Sequence, residues 1–172
     1  MFLKLVENLR ETMRVRMLRN SCREYLTNHR EYIGVVQQLI WYFRFYRHAK
    51  STGKYRLYLW YDDQGSPVGY GALSLEDGGL GVTECVATNY RRMGHGRLLL
   101  EELVRIAAAE KRDVVAEIWA TNEGSISLHE KAGFKLESNS TKQGSEIRRY
   151  RLTKDMIIQE KRDSADRSRI VA

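Results

Sequence analysis

Two glycines one residue apart, within Tyr90-Arg91-Arg92-Met93-Gly94-His95-Gly96-Arg97, mark a place where this chain can hold an anion. A strand-like run over 82–86 precedes them, and from 98 to 111 apolar residues recur at helical spacing. A glycine-containing loop that opens a helix turns several backbone N–H groups toward one point. Those amides, together with the positive end of the helix, suit a phosphate. Glycine lets the backbone come close to the ligand, and the flanking arginines add positive charge. The same spacing also serves as a plain strand-to-helix connection, so the loop by itself leaves both readings open. Further on, Asn122 and Ser125 open a second helix-like run, where their side chains either touch a ligand or cap the helix.

The two stretches together resemble a known family. Arg91-x-x-Gly94-x-Gly96 is similar to the Arg/Gln-x-x-Gly-x-Gly/Ala loop of the GNAT acyltransferase superfamily. The segment from Asn122 through Ser125 to Gly133-Phe134 resembles its second signature, and Leu128-His129-Glu130 within it is similar to the phosphinothricin-acetyltransferase-like branch. The likeness runs from about Tyr55 to Leu152. It implies an α/β fold with a mixed, mostly antiparallel central sheet, helices on both faces and strands splayed at a coenzyme site. It also implies an acetyl-CoA-dependent N-acetyltransferase in which an amine attacks the bound thioester directly.

On that resemblance, Arg91, Arg92, Met93, Gly94, His95, Gly96 and Arg97 hold the pyrophosphate of acetyl-CoA. Backbone amides near Val86 and Ala87 polarise the thioester carbonyl, and Asn122 and Ser125 lie along the pantetheine arm. Arg19, Asn20, Arg23, Gln37, Gln38 and Trp41, from the helices between the first two strands, are candidates to face the acceptor. Trp41 with its aromatic neighbours equally suits a hydrophobic core. Glu84 shares a strand face with Val86 by the period of two and is the candidate general base, with an ordinary ion pair as the alternative. Relatives with the same second signature carry an acid three residues earlier, where this chain has Gly81. His129 is seven residues after Asn122 and so on the same helix face. Much of the superfamily has a tyrosine there as general acid, and an imidazolium is a stronger acid than a phenol. Simple packing is the competing role for His129.

Composition bounds the rest. A chain of 172 residues, 42% hydrophobic and 30% charged, suits one globular domain, expected over 1–154, with a charged tail over 155–172 read as a frayed helix or disordered segment. No run approaches the roughly 20 apolar residues that span a bilayer, and the first residues lack a signal-peptide pattern. Cys22 and Cys85, far apart in sequence and without metal-ligand spacing, read as reduced thiols of a cytoplasmic protein. The formal charge of +7 attracts anions, for which the coenzyme already supplies a reason. No nucleic-acid motif accompanies it, so no specific nucleic-acid partner and no membrane is expected. The acceptor is expected to be a small-molecule amine: an amino sugar, a nucleotide-linked amino sugar or an amino acid. Acylation of a protein or nucleic-acid amine, and a non-catalytic acyl-CoA-binding module, are the rival readings, and the resemblance leaves room for a homodimer.

Elements must position these residues. Alternation and aromatic or β-branched content predict strands over 2–6, 55–61, 68–75, 80–86 and 114–119. Helical spacing predicts a turn or two around Leu9, Met13 and Met17, a longer helix over 34–48, and the helix after the glycine loop. A last hairpin is expected from 134–138 and 147–152, joined across polar residues 139–144.

Overall fold

The sequence alternates β1 (Phe2–Leu5), β2 (Tyr55–Tyr61), β3 (Pro67–Glu76), β4 (Gly79–Val86), β5 (Val114–Trp119), β6 (Lys135–Lys142) and β7 (Ser145–Leu152) with α1 (Leu9–Cys22), α2 (Val35–Trp41), α3 (Arg47–Ser51), α4 (His95–Ala109) and α5 (Glu123–Lys131). The computed structural model describes residues 1–28 and 30–156. Its strands form one sheet in the order β1-β2-β3-β4-β5-β7-β6, antiparallel at each seam but one. The exception is β4 against β5, which run parallel, pair Leu80 with Val114 and Gly81 with Val115, and then part. The expected splay therefore starts at Gly81, near the beginning of β4.

Each face of the sheet carries its own core. Val82 and Val86 of β4 pack with Leu99, Leu100 and Leu103 of α4 and Ile126 of α5. Tyr70, Ala72 and Cys85 point the other way, to Val15 and Cys22 of α1. Period-two alternation along β3 and β4 is what divides the side chains between the two layers. Asn8 caps α1 by accepting the Glu11 N–H at 3.0 Å, and α1 then runs four turns rather than the one or two expected.

The helix expected over 34–48 is interrupted. Residues Tyr42–Tyr46 form a π turn between α2 and α3. Its wider register brings residue i over i+5, and Trp41 stacks on Tyr46 with ring centroids 5.1 Å apart. The Tyr46 hydroxyl donates to the Val6 carbonyl at 2.6 Å, which fixes this helical layer to the end of β1. The last hairpin is longer than expected, with β6 and β7 joined by Gln143 and Gly144, both left-handed at φ 52° and 75°. Two left-handed residues are what a tight hairpin turn with the right-handed strand twist requires. The tail expected from 155 falls mainly outside the described residues, which end at 156 in a short helical turn. Among the described residues no helix is long and apolar enough to cross a membrane.

The two cysteines are not separate thiols. Packing α1 on β4 brings Cys22 and Cys85 together as a disulfide with Cα atoms 6.7 Å apart, which corrects the reading of two free thiols. The bridge closes 63 residues of chain, and a crosslink of that span restricts the unfolded state by about 4 kcal/mol on the chain-entropy view. Alkylation of the denatured protein without reductant should therefore label neither cysteine, and after reduction both. Reduction should also lower the unfolding midpoint. Two labelled cysteines without reductant would show the pair to be open.

Candidate active site

The glycine loop closes around its own backbone. Arg92 and Gly94 take left-handed conformations, φ 61° and 84°, and turn the chain sharply into α4. The first bond inside α4 runs from the Leu98 N–H to the Gly94 carbonyl at 3.2 Å. The N–H groups of His95, Gly96 and Arg97 consequently lack intrahelical acceptors and project from the helix start. A Cβ placed on Gly96 would meet nothing closer than Leu128 Cδ2 at 3.6 Å. The fold itself therefore does not demand glycine there, and the bare backbone leaves the helix start open to a ligand. This is the fit a pyrophosphate needs.

The side chains of the loop divide the work. Trp60 Nε1–H donates to His95 Nδ1 at 3.2 Å, so the buried imidazole anchors the loop from within the core. Arg91 donates from Nε to the Val86 carbonyl at 3.1 Å and lies 4.4 Å over the Tyr25 ring. It thus occupies the free edge of β4 as well as lining the groove. Arg92 and Gly96 line the groove, while Met93 and Arg97 are exposed beside it and Ala87 begins the turn.

Between the parted strands lies a groove of about 970 Å³. The Leu80 N–H bonds across the seam to Asp113 at 2.8 Å. Peptide groups alternate along a strand, so beyond the last pair with β5 the amides of Glu84 and Val86 face the same way, into the widening gap. Asn122 caps α5, its Oδ1 accepting the Ser125 N–H at 3.2 Å, and both residues also line the groove. Capping and lining are thus compatible roles.

Glu84 and His129, expected as separate base and acid, sit together. His129 is 1% exposed, and its Nδ1–H donates to the Ser125 carbonyl at 2.9 Å. The carbonyl can only accept, so Nδ1 carries a proton and Nε2 is the ring nitrogen turned toward Glu84. That Nε2 is buried without a hydrogen-bond partner and lies 3.6 Å from Glu84 Oε1. Burial pushes the Glu84 carboxyl above its ordinary range, and the positive form of His129 opposes the rise. A carboxyl held late to ionise thus faces a buried imidazole nitrogen that has no other partner. Both groups line the groove.

A second cavity, about 740 Å³, opens on the opposite face, under α1 and α2. Arg19, Gln37, Gln38 and Trp41 line it. Asn20 does not; it clamps Ile33, donating to its carbonyl and accepting its N–H, each at 3.0 Å. Arg23 is exposed in a short helical turn away from the cavity. Tyr55 and Tyr70 also line the cavity, and burial raises both phenols, that of Tyr55 to about 12, so they remain donors. These tyrosines, with Thr83, Glu76 and Glu117, went unnoticed in the sequence. The register of the β3–β4 hairpin would have found three of them, since it sets Ser74 opposite Gly81 and Ala72 opposite Thr83 on one face with Tyr70 and Glu76. The two cavities share Leu26, Thr27, Val82, Thr83 and Glu117 as a common rim.

Comparison with known proteins agrees with this geometry. The model of the acetyltransferase (GNAT) family matches residues 15–134. No curated protein sequence matches the chain. Among solved structures, an N-acetyltransferase from Staphylococcus aureus Mu50 superposes with a TM-score of 0.74 at 19% identity, over 89% of this chain and 98% of that one. A candidate acetyltransferase from Salmonella typhimurium, solved with its cofactor acetyl-CoA, gives 0.71 at 20% identity, over 89% and 93%. A candidate phosphinothricin N-acetyltransferase gives 0.73 at 22% identity, over 88% and 97%. At these identities the likeness establishes the fold.

Proposed function

Because this chain belongs to the acetyltransferase (GNAT) family, we propose that it transfers the acetyl group of acetyl-CoA to the primary amine of a small molecule, by direct attack in a ternary complex. The observation that carries this is the common rim: a groove with an anion-binding helix start meets a closed-in cavity at Val82 and Thr83. Two ligands entering from opposite faces of the sheet come together there without a carrier on the protein. The one cysteine lining the groove, Cys85, is tied to Cys22 and is no nucleophile in that state. The acetyl group is supplied by the coenzyme. The chain's own parts bind and orient: backbone amides of β4 donate toward the thioester, and the Glu84–His129 pair holds a proton on the side where sulfur departs. Donors of this kind are worth roughly 3–4 kcal/mol in comparable acyl transfers.

An amino sugar, a nucleotide-linked amino sugar or an amino acid suits a cavity walled by Arg19, Gln38, Tyr55 and Tyr70, which offers both charge and hydrogen-bond donors. A cytoplasmic setting suits the need for acetyl-CoA, whereas the Cys22–Cys85 bridge suits oxidising surroundings. Thiol release from acetyl-CoA, measured across glucosamine, a uridine-diphosphate-linked amino sugar, glutamate, spermidine and an alanine-ended peptide, tests the proposal. Turnover of one of the small amines is expected. Turnover confined to the peptide would move the acceptor to protein.

A further inference from the structure

The acceptor cavity contains a carboxylate in an unusual position. Glu76, the last residue of β3, folds back along the sheet and lays its carboxyl over Gly81 of β4. A Cβ built on Gly81 would lie 2.6 Å from Glu76 Cδ and 2.7 Å from Ser74 Oγ, so a side chain there fits only if these two flexible side chains turn away. Gly81 has no left-handed conformation to explain it. The room it leaves is filled by the Glu76 carboxyl, which accepts the Ser74 hydroxyl at 3.3 Å on Oε1 and faces Arg149 at 3.7 Å on Oε2.

The position matters because Gly81 is also where β4 and β5 part. Glu76, Gly81, Val82 and Thr83 line the acceptor cavity together, and Val82 and Thr83 form its rim with the coenzyme groove. Glu84, by contrast, points to the opposite face and is engaged with His129. An ammonium held in this cavity shares it with the carboxylate over Gly81, while the rim carboxylate, Glu117, is paired with Arg149 at 3.3 Å.

Building on the acetyltransferase reading above, we infer that Glu76 is the catalytic base that receives the proton of the acceptor amine. One ammonium N–H bond breaks toward the Glu76 carboxylate, and the freed lone pair forms the C–N bond while the carbonyl π pair moves to oxygen. As that pair returns the C–S bond breaks, and the second nitrogen proton passes to water at the rim. The departing sulfur takes its proton on the other face of the sheet. Glu76, 40% exposed, returns its own proton to water. Ser74 and Arg149 orient the carboxylate, and Gly81 gives it room.

Three variants and one assay test this, using the amine turned over fastest in the panel above. Glu76→Gln and Glu76→Ala should each lower kcat/KM at pH 7 by roughly 10²–10⁴-fold, the span of general-base catalysis, with the loss shrinking as pH rises and more amine is already neutral. Glu76→Ala combined with Gly81→Glu places a carboxylate in the same space from the neighbouring strand and should recover at least about tenfold over Glu76→Ala, since positioned proton transfer is what is restored. Acetyl-CoA affinity should stay unchanged in all three. Equal loss at every pH, or no recovery in the double variant while it folds, overturns the assignment and makes Glu76 a partner of Arg149. Unaltered turnover in Glu76→Gln overturns it too, while leaving the acetyltransferase reading intact. A wild-type protein that acetylates no amine removes both.

Discussion

Gly96→Asp should raise the dissociation constant for acetyl-CoA by at least about a hundredfold and leave the unfolding midpoint where it is. The expectation rests on what surrounds that backbone. A Cβ at 96 meets Leu128 at an ordinary 3.6 Å, and no left-handed conformation is needed there, so the fold accepts a side chain. The ligand does not, because the side chain stands between the pyrophosphate and the N–H groups of His95, Gly96 and Arg97. Two like charges about 4 Å apart repel by roughly 1–4 kcal/mol, according to how wet the site is, and each 1.4 kcal/mol is about tenfold in affinity. Blocking the amides adds to that. Gly94 is the poorer position for this experiment. At φ 84° a substitution there strains the loop, and weakened binding would have two causes. Gly96→Ala supplies the control, keeping charge constant while adding bulk, and should fall between wild type and aspartate. Calorimetry that finds wild-type affinity in folded Gly96→Asp would remove the anion site from this loop.

The shape of the loop was legible because it is local. Glycine spacing, the strand before it and the helix after it all lie within a short stretch, and periodicity reports each. The same holds for the meander of β2, β3 and β4, where turns and alternation set the register. What the sequence hid depends on which elements pack together. Cys22 and Cys85 meet because α1 lies across β4, and nothing within either segment announces that. The sequence marks Glu84 and His129 as a separate base and acid; packing α5 under β4 brings them together. Asn20 looked like an acceptor ligand because it stands among arginines on α1. Its role as a clamp on Ile33 depends on a loop that folds back over thirteen residues of chain. Tyr42–Tyr46 has the apolar spacing of an α-helix, and the π turn arises from stacking Trp41 on Tyr46, an outcome of aromatic crowding that periodicity does not register. Glu76 went unnoticed for the opposite reason. It sits beside a turn, where a charged residue needs no explanation, and its meaning lies in a glycine on the next strand.

Removing either member of the buried pair should cost nearly as much as removing both. Glu84→Gln and His129→Ala are each expected to lower kcat by roughly 10²–10⁴-fold, the span of proton-transfer catalysis, and the double variant should fall little further, because groups that act as one unit are not additive. Coenzyme affinity should change much less than turnover, as befits an interaction made mainly in the transition state. Stability supplies the second arm, and its sign separates catalysis from a structural ion pair. Burial raises the folded-state carboxyl of Glu84 above its unfolded value. Between those two values the unfolded chain has released the proton and the folded protein still holds it, so stability falls as pH rises through that window, and above it the cost is fully present. Glu84→Gln carries no such cost. It should therefore unfold at a higher temperature than wild type at pH 7, with the gain vanishing near pH 4, where both carry a neutral side chain. An ion pair that stabilised the fold would give the reverse, a variant less stable at pH 7. If Glu84→Gln is less stable and fully active, the pair is structural; if it is more stable and nearly inactive, the protein keeps a costly carboxyl in its core for the reaction it performs.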